Sequence, residues 1–257
     1  MDALLSALSG AMIDENKIQI LLFDRIGSTN TAAKEIADKG IPTLVIANGQ
    51  TGGRGRLGRS FSCPDGAGVY MSLLCYPKIA ATEASRLTCL TAVAAARAVD
   101  KISGIRPYIK WVNDLYIGDK KLAGILTEGS ADHNGNLSYA VIGIGINVHD
   151  ADLGEYSAIA TNIEREGGRP TMRVDLIAEI LKELFPMLEA EDTTAYFEEY
   201  IERAKPIIGR SVIVKRADES YPAKITGIEK DGRLSVVTED GEEISLATGE
   251  ISLSFQK

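Results

Sequence analysis

The sequence is poor in the two residue types from which most zinc sites and disulfide frameworks are built. Its 257 residues include three cysteines, Cys63, Cys75 and Cys89, and two histidines, His133 and His149. The cysteines are odd in number, far apart and without a C-x-x-C pair, which excludes a disulfide framework and a Cys/His zinc site. Free cysteines suit a reducing compartment, so we expect a cytoplasmic protein.

A long hydrophobic run is also missing. No window approaches the ~18 apolar residues of a membrane-spanning helix. The N-terminal stretch "MDALLSALSGAMIDENK" has an aspartate where a secretion signal carries positive charge, and serine and glycine interrupt its apolar residues. We therefore expect neither export nor a membrane partner.

Positive charge is in deficit as well. The chain carries 36 acidic and 28 basic residues, a net charge of -8 that repels nucleic acid at long range. The residues before the first predicted strand, 18–24, are too few for a separate N-terminal DNA-binding domain. Both observations predict a protein without a nucleic-acid partner.

Hydrophobic periodicity predicts an α+β fold with a mixed sheet. Strands are expected at 18–24, 43–48 and 68–76, and a later run of strands reads as hairpins, one of them turning at Gly118 and Asp119. The predicted helices are a short one at Leu4, Leu5, Leu8 and Met12, one within 28–40 capped by Asn30 or Thr31 and ended by Gly40, one at 83–102, and one within 173–203 that Pro186 kinks or ends.

Near Lys205 the residue pattern changes from helical periodicity to short strands. Residues 207–257 read as short strands separated by "ADES", "EKDGR" and "EDGEE", with no helical stretch. We expect a catalytic domain over residues 1–205 and a small all-β domain over 206–257.

A glycine-rich segment, "GGRGRLGRSF" at 52–61, contains the pattern G-x-G-x-x-G. In a dinucleotide-binding fold these glycines lead directly into a helix, whereas here "RSFSCPDGAG" follows, and its proline and glycines prevent one. A Walker-type G-x-x-x-x-G-K-[ST] motif is missing too. The segment is therefore neither kind of nucleotide fingerprint.

The same loop carries Arg54, Arg56 and Arg59, and Gln50 lies just upstream. Guanidinium groups match carboxylate and phosphate oxygens in a bidentate manner. The composition predicts a loop that encloses an anionic ligand; the alternative is a solvated surface loop.

A second group of polar residues lies in "KWVNDLYIGDKKLAGILTE", at 110–128. If "YIKWVND" is one strand, Lys110 and Asp114 share a face. Strand-borne lysines, an amide and a carboxylate suggest phosphate contacts and a metal-binding carboxylate; the alternative is a solvated hairpin turn at Lys120 and Lys121. The segments "GSTN" (27–30) and "GIGIN" (143–147) are weak signals when each is taken alone.

In this order, "STN", "GRGRLGRSF", "KWVNDLYIGDKKLAGILTE" and "GIGIN", followed by a small β domain, resemble the biotin protein ligases over about residues 20 to 257. The resemblance implies a mixed α/β catalytic domain related to class II aminoacyl-tRNA synthetases and a C-terminal SH3-like β-barrel. It implies that biotin and ATP form biotinyl-5'-AMP, with Mg2+, and that the biotinyl group passes to one lysine of a biotin carboxyl carrier protein.

The resemblance also implies roles for individual residues. Arg56, Lys121 and Asp114 would be catalytic, and Asp114 would bind Mg2+ or orient a lysine. Biotin would contact Ser28, Thr29, Asn30, Gln50, Gly53, Arg54, Gly55, Arg56, Lys121 and Gly124. ATP would contact Arg59, Lys110, Asn113 and Asn147.

Two residues depart from the pattern of the family. Phe61 stands where many members have tryptophan, and Val112 stands where proline is common in W-P-N-D; both keep an apolar side chain. The resemblance further indicates a monofunctional ligase that can form a homodimer. The alternatives are a non-catalytic biotin-sensing or partner-binding module and, less favoured, a lipoate or octanoyl protein ligase.

Overall fold

The computed structural model describes Ser6 and residues 18–216, 219–247 and 250–253. The helix predicted around Leu4, Leu5, Leu8 and Met12 lies outside these residues. The strands are β1 (Gln19–Ile26), β2 (Thr43–Gln50), β3 (Gly68–Cys75), β4 (Tyr108–Lys110), β5 (Asp114–Ile117), β6 (Lys120–Ala131), β7 (Leu137–Asn147), β8 (Ser211–Arg216), β9 (Glu219–Ile228), β10 (Leu234–Thr238), β11 (Glu243–Leu246) and β12 (Glu250–Leu253). The α-helices are α1 (Thr29–Glu35), α2 (Ala84–Ser103), α3 (Arg173–Glu189) and α4 (Thr194–Ala204).

The first seven strands form one mixed sheet in the order β1-β2-β3-β7-β6-β5-β4. Only the β1–β2 pair is parallel, and the long strands β6 and β7 form an antiparallel pair near the middle. The hairpin predicted at Gly118 and Asp119 joins β5 to β6. The α+β architecture with a mixed sheet is therefore confirmed.

Helices cover both faces of this sheet, because neighbouring strand residues point to opposite sides. On one face, Ala33 of α1 packs with Val45, Leu74 and Val141. The adjacent positions Leu44, Leu73 and Ile142 belong to the main core, which also contains the buried faces of α2, α3 and α4. The short helix α1 thus packs on the face where the predicted site residues are found.

Pro186 does not end helix α3, which continues to Glu189. Two local predictions were wrong. Ser28, not Asn30 or Thr31, caps α1, because its side-chain oxygen accepts a hydrogen bond from the Thr31 amide at 3.5 Å. The segment "YIKWVND" is not one strand: β4 ends at Lys110, a turn spans 111–113, and β5 begins at Asp114, which pairs with Lys110.

The C-terminal strands form a separate antiparallel sheet in the order β11-β10-β9-β8-β12. The turn between β9 and β10 contacts the part of the chain that forms the large sheet: the indole Nε1 of Trp111 donates a hydrogen bond to the Gly232 carbonyl at 2.9 Å. Gly232 has φ 85°, and a Cβ atom there would lie 3.1 Å from Cys89 Sγ and 3.2 Å from the Phe197 ring. Glycine therefore lets the turn approach α2 and α4 closely.

Helix α4 also anchors the turn at residues 111–113, which follows β4. The Tyr200 hydroxyl, which is fully buried, donates to the Val112 carbonyl at 3.0 Å. The peptide bond between Trp111 and Val112 is cis. The backbone that presents Asn113 and Asp114 is thus anchored by both the C-terminal sheet and α4.

None of the helices in the described part of the chain is long and apolar enough to span a membrane.

The glycine at position 232 should matter for stability more than other glycines of similar backbone conformation. A left-handed alanine costs about 1–2 kcal/mol, and a Cβ forced into packed neighbours costs about 1–3 kcal/mol more. Gly241 is the matched control, since its φ is 84° and a Cβ atom there would have no neighbour within 4 Å. We expect Gly232→Ala to lower the free energy of unfolding clearly more than Gly241→Ala.

Urea unfolding can be followed by the fluorescence of Trp111, the single tryptophan of the chain. Equal unfolding midpoints for the two variants would contradict the close packing of the Gly232 turn.

Candidate active site

A cavity of about 430 Å³ opens on the α1 face of the large sheet. Its wall combines the N-terminus of α1, the end of β2, the arginine loop (residues 51–62), β6, β7 and the segment 153–160. With one exception, every predicted site residue lines it: Ser28, Thr29, Asn30, Gln50, Arg54, Gly55, Arg56, Arg59, Lys110, Asn113, Asp114, Lys121, Gly124 and Asn147.

The exception is Gly53, which is buried behind the wall. A Cβ atom there would collide with the Phe61 carbonyl oxygen and lie 2.7 Å from Cys63 Sγ. The Gly53 carbonyl in turn accepts a hydrogen bond from the Phe61 amide at 2.9 Å. Gly53 therefore lets the arginine loop fold back on itself and does not face the cavity.

One end of the cavity is polar and uncharged. Gln50 Oε1 accepts a hydrogen bond from the Thr29 amide at 2.7 Å and lies 3.1 Å from the Thr29 hydroxyl oxygen. Gln50 Nε2 donates to Cys63 Sγ at 2.9 Å, and the Cys63 thiol donates to the Phe61 carbonyl at 3.3 Å. The orientation of the Gln50 amide is therefore fixed from both sides.

A partly buried ion pair supports this end. Lys34 Nζ lies 2.6 Å from Glu128 Oε1, and Asn30 Nδ2 donates to Glu128 Oε2 at 2.9 Å. Burial acts to raise the pKa of Glu128, but the hydrogen bonds from Lys34 and Asn30 and the charges of Lys34 and Arg54 outweigh it and lower the pKa below its usual value. Glu128 is thus a carboxylate at neutral pH.

The other end of the cavity is positively charged. Gly55 and Arg59 close the arginine loop through an amide-to-carbonyl hydrogen bond of 2.7 Å. Arg56 Nη1 donates to Asn113 Oδ1 at 3.4 Å, which links the loop to the turn after β4. The loop therefore brings a guanidinium group toward the residues of the second polar segment.

Lys121, at the start of β6, faces the same space. Its Nζ lies 2.7 Å from Asp114 Oδ1 and 5.8 Å from the centre of the Phe61 ring. A Cβ atom on Gly124 would lie 3.1 Å from this Nζ, so glycine leaves room for the lysine side chain. The ammonium group is held between a carboxylate and an aromatic face.

Two amides are locked by backbone carbonyls. Asn113 Nδ2 donates to the Ile125 carbonyl and Asn147 Nδ2 to the Thr161 carbonyl, both at 2.9 Å. The side-chain oxygens of Asn113 and Asn147 therefore point away from these carbonyls.

Lys110 Nζ lies 5.1 Å above the Tyr116 ring.

Two glycines of β7 allow the wall to approach the sheet. A Cβ atom on Gly143 would collide with the Asn30 amide oxygen, and one on Gly145 would lie 2.7 Å from the Phe61 ring. The weak signal of "GIGIN" thus marks the place where α1 and the arginine loop contact the sheet.

Part of the wall was not predicted. The backbone of Lys121 pairs with the segment 159–161. Its amide donates to the Ile159 carbonyl and its carbonyl accepts from the Thr161 amide, both at 2.9 Å. Among the lining residues that were missed are Leu153, Tyr156, Ile159, Ala160 and, from the C-terminal sheet, Ile251. They are ordinary apolar residues in a loop and an edge strand, so their sequence carries no signal.

The residues of the described part of the chain form no group of three or more His, Cys, Asp or Glu side chains able to hold a metal ion. The site can therefore offer neutral hydrogen-bonding groups at one end, cations at the other, and apolar walls between them.

Two protein-family descriptions match this chain. Residues 22–147 match the biotin/lipoate A/B protein ligase family, and residues 207–254 match the biotin protein ligase C terminal domain. The bifunctional ligase/repressor BirA of Bacillus subtilis is 34% identical over 230 residues, which cover 86% of this chain and 70% of that protein. The biotin--[acetyl-CoA-carboxylase] ligase of Paracoccus denitrificans is 30% identical over 236 residues, 86% of this chain and 95% of the relative.

The fold has a solved counterpart. The structure of the Aquifex aeolicus biotin protein ligase in complex with biotin and ATP matches with a TM-score of 0.75 and 24% identity, over 93% of this chain and 99% of that one. Together with the sequence matches, this likeness shows that the chain belongs to the biotin protein ligase family.

Proposed function

We propose that this chain joins biotin to ATP, giving biotinyl-5'-AMP and pyrophosphate, and then transfers the biotinyl group to a lysine of a biotin carboxyl carrier protein. The observation that carries the proposal is a cavity with a neutral hydrogen-bonding end at Thr29 and Gln50 and a cationic end at Arg56 and Lys121. Biotin has the matching polarity, since its ureido ring is neutral and its carboxylate lies at the end of an apolar chain.

Charge explains the cationic end. A carboxylate that approaches a polyphosphate is repelled by about 4 kcal/mol at 4 Å and an effective dielectric of 20. Arg56 and Lys121 offset this repulsion and stabilise the charge on the α-phosphoryl oxygens as the carboxylate oxygen bonds to the α-phosphorus and pyrophosphate leaves. Asn113 keeps Arg56 in place through the 3.4 Å contact.

In the second step the carrier lysine supplies the nucleophile. Its neutral amine bonds to the carbonyl carbon of the mixed anhydride, the bond to the AMP oxygen breaks, and the amine loses a proton as the amide forms. Arg56 and Lys121 then face the phosphate of the departing AMP.

Magnesium accompanies ATP and supplies charge neutralisation of the phosphates. Asp114 is the single carboxylate among the cavity-lining residues of the described chain, and it is ion-paired with Lys121 at 2.7 Å. This donor set does not build a metal site of its own. We therefore assign Asp114 the role of orienting Lys121.

Several finer expectations complete the proposal. The antiparallel C-terminal sheet is an SH3-like barrel, with the domain boundary between residues 205 and 206. The net charge of -8 favours a protein partner over nucleic acid. A cytoplasmic location and a homodimer remain predictions from the sequence.

The direct test is mass spectrometry of an apo carrier domain incubated with the chain, Mg-ATP and biotin. We expect one biotinyl addition that requires both ATP and biotin, and a rate at least about 100-fold lower for Lys121→Met, because the carboxylate and phosphate then lose a cation. Biotin binding without any addition would favour the sensing module, and addition of lipoate would favour a lipoate ligase.

Arg56 should also retain the reactive intermediate. Its guanidinium links the arginine loop to Asn113 across the cavity, so Arg56→Gly should loosen the loop and release biotinyl-5'-AMP. We expect this variant to label lysines of a bystander such as serum albumin, which mass spectrometry detects. Arg106→Gly, at an exposed position, is the control; bystander labelling by both variants, or by neither, would contradict the assignment.

No cysteine takes part in this chemistry. Burial raises the pKa of Cys63 to about 12, so at pH 8 the group is a neutral thiol and a poor nucleophile. We expect iodoacetamide at pH 8 to leave both Cys63 and the ligase activity intact, whereas the urea-unfolded chain is alkylated. Loss of activity in step with Cys63 alkylation would argue for a thioester intermediate instead.

A further inference from the structure

Behind the neutral end of the cavity lies a serine that does not line it. Ser72, in the middle of β3, is fully buried. Its Oγ lies 2.7 Å from the Thr29 hydroxyl oxygen and 2.6 Å from the Asn30 amide oxygen. A buried hydroxyl between two site residues has one proton and two neighbours, so its direction of donation is decided by those neighbours.

The Asn30 amide has only one orientation that satisfies its surroundings. Its Nδ2 lies 3.2 Å from the Leu126 carbonyl and 2.9 Å from Glu128 Oε2, and neither group can donate. A flipped amide would place oxygen against both acceptors. The Asn30 Oδ1 therefore faces Ser72 and must accept from it.

This leaves a single arrangement of protons. Since the Ser72 proton goes to Asn30, the Ser72 oxygen can only accept a hydrogen bond from Thr29. The Thr29 hydroxyl oxygen lies 2.7 Å from the Ser72 oxygen and 3.1 Å from the Gln50 oxygen. The Thr29 hydroxyl therefore donates to Ser72, over the shorter of these two contacts. The Gln50 oxygen already accepts from the Thr29 amide at 2.7 Å. The Thr29 and Gln50 oxygens thus both present lone pairs, 3.1 Å apart.

Two adjacent acceptors select for a donor. A ligand N–H can satisfy both oxygens, whereas a ligand carbonyl, ether or thioether placed there meets lone pairs and leaves buried groups unpaired. A cyclic urea presents N–H groups at its ring edge, and a dithiolane ring presents none.

We infer that Ser72 is a specificity-determining positioning residue: through Asn30 it fixes the Thr29 hydroxyl as an acceptor, so that this end of the cavity selects ligands with a ureido N–H. The inference rests on the proposed function, because it names how the biotin end of that same site is read. Ser72 acts through Thr29 and needs no contact with the ligand.

The test measures dissociation constants by calorimetry for biotin and for biotin methylated at one or the other ureido nitrogen. In the wild-type chain, methylation of the nitrogen that faces Thr29 should weaken binding about tenfold or more. In Ser72→Ala the Thr29 proton is free to turn, so biotin should weaken about tenfold while the methylated ligand changes less than threefold. The preference for the N–H ligand should then nearly disappear.

Ser103→Ala is the matched control, because Ser103 is a buried serine in α2 that donates to the Val99 carbonyl at 2.6 Å, away from the cavity. It should leave the preference unchanged. Ser72→Cys retains a weak donor and should restore part of the preference, and it serves if the alanine variant fails to fold. The KM for ATP should stay within twofold in all variants.

The outcomes separate the two claims. If Ser72→Ala and Ser72→Cys weaken both ligands equally, the residue is merely structural and the inference is overturned while the proposed function stands. If the wild-type chain binds neither biotin nor its methylated forms, the proposed function fails and this inference fails with it.

Discussion

The site depends on one constraint: polar side chains buried on the face of a β-sheet must satisfy one another. Thr29, Asn30 and Ser72 are each at most 5% exposed, and water cannot serve them as a bulk partner. They are paired because Gly143 lets Asn30 lie directly on β7, where a side chain would collide with it. The rigid neutral end of the cavity follows from this pairing.

The cationic end is built on a different principle. Arg56 belongs to a loop and contacts Asn113 in the turn after β4, and Lys121, at the start of β6, contacts Asp114 at the start of β5. That turn is anchored from behind by the Gly232 carbonyl and by the Tyr200 hydroxyl. The C-terminal sheet therefore supports the charged end of the cavity as well as supplying Ile251 to its wall.

Much of this arrangement could be predicted from the sequence. The hairpin at Gly118, the mixed sheet and the change to a β domain near Lys205 follow from alternation and turn residues, which are local signals. The charged residues of the arginine loop and of 110–128 carry their chemistry in their side chains, so their type alone indicated an anionic ligand.

The features that could not be predicted depend on contacts between distant residues, which no local sequence pattern indicates. The turn at 111–113 interrupts an apparently continuous strand because Trp111 and the Val112 carbonyl find partners over 80 residues away. The family resemblance implied a biotin contact for Gly53, whereas in the structure its neighbours Phe61 and Cys63 hold it behind the wall. Ser72 is one ordinary polar residue in an apolar strand, and its role emerges only when the protons of its neighbours are counted.

The central claim is that the cavity brings a carboxylate and the α-phosphate of ATP into reaction. Exchange of labelled pyrophosphate into ATP measures this step without a carrier protein, because adenylate formation is reversible. The account predicts exchange that requires biotin and is not supported by lipoate. Tight biotin binding with no exchange would contradict it and leave a binding module in its place.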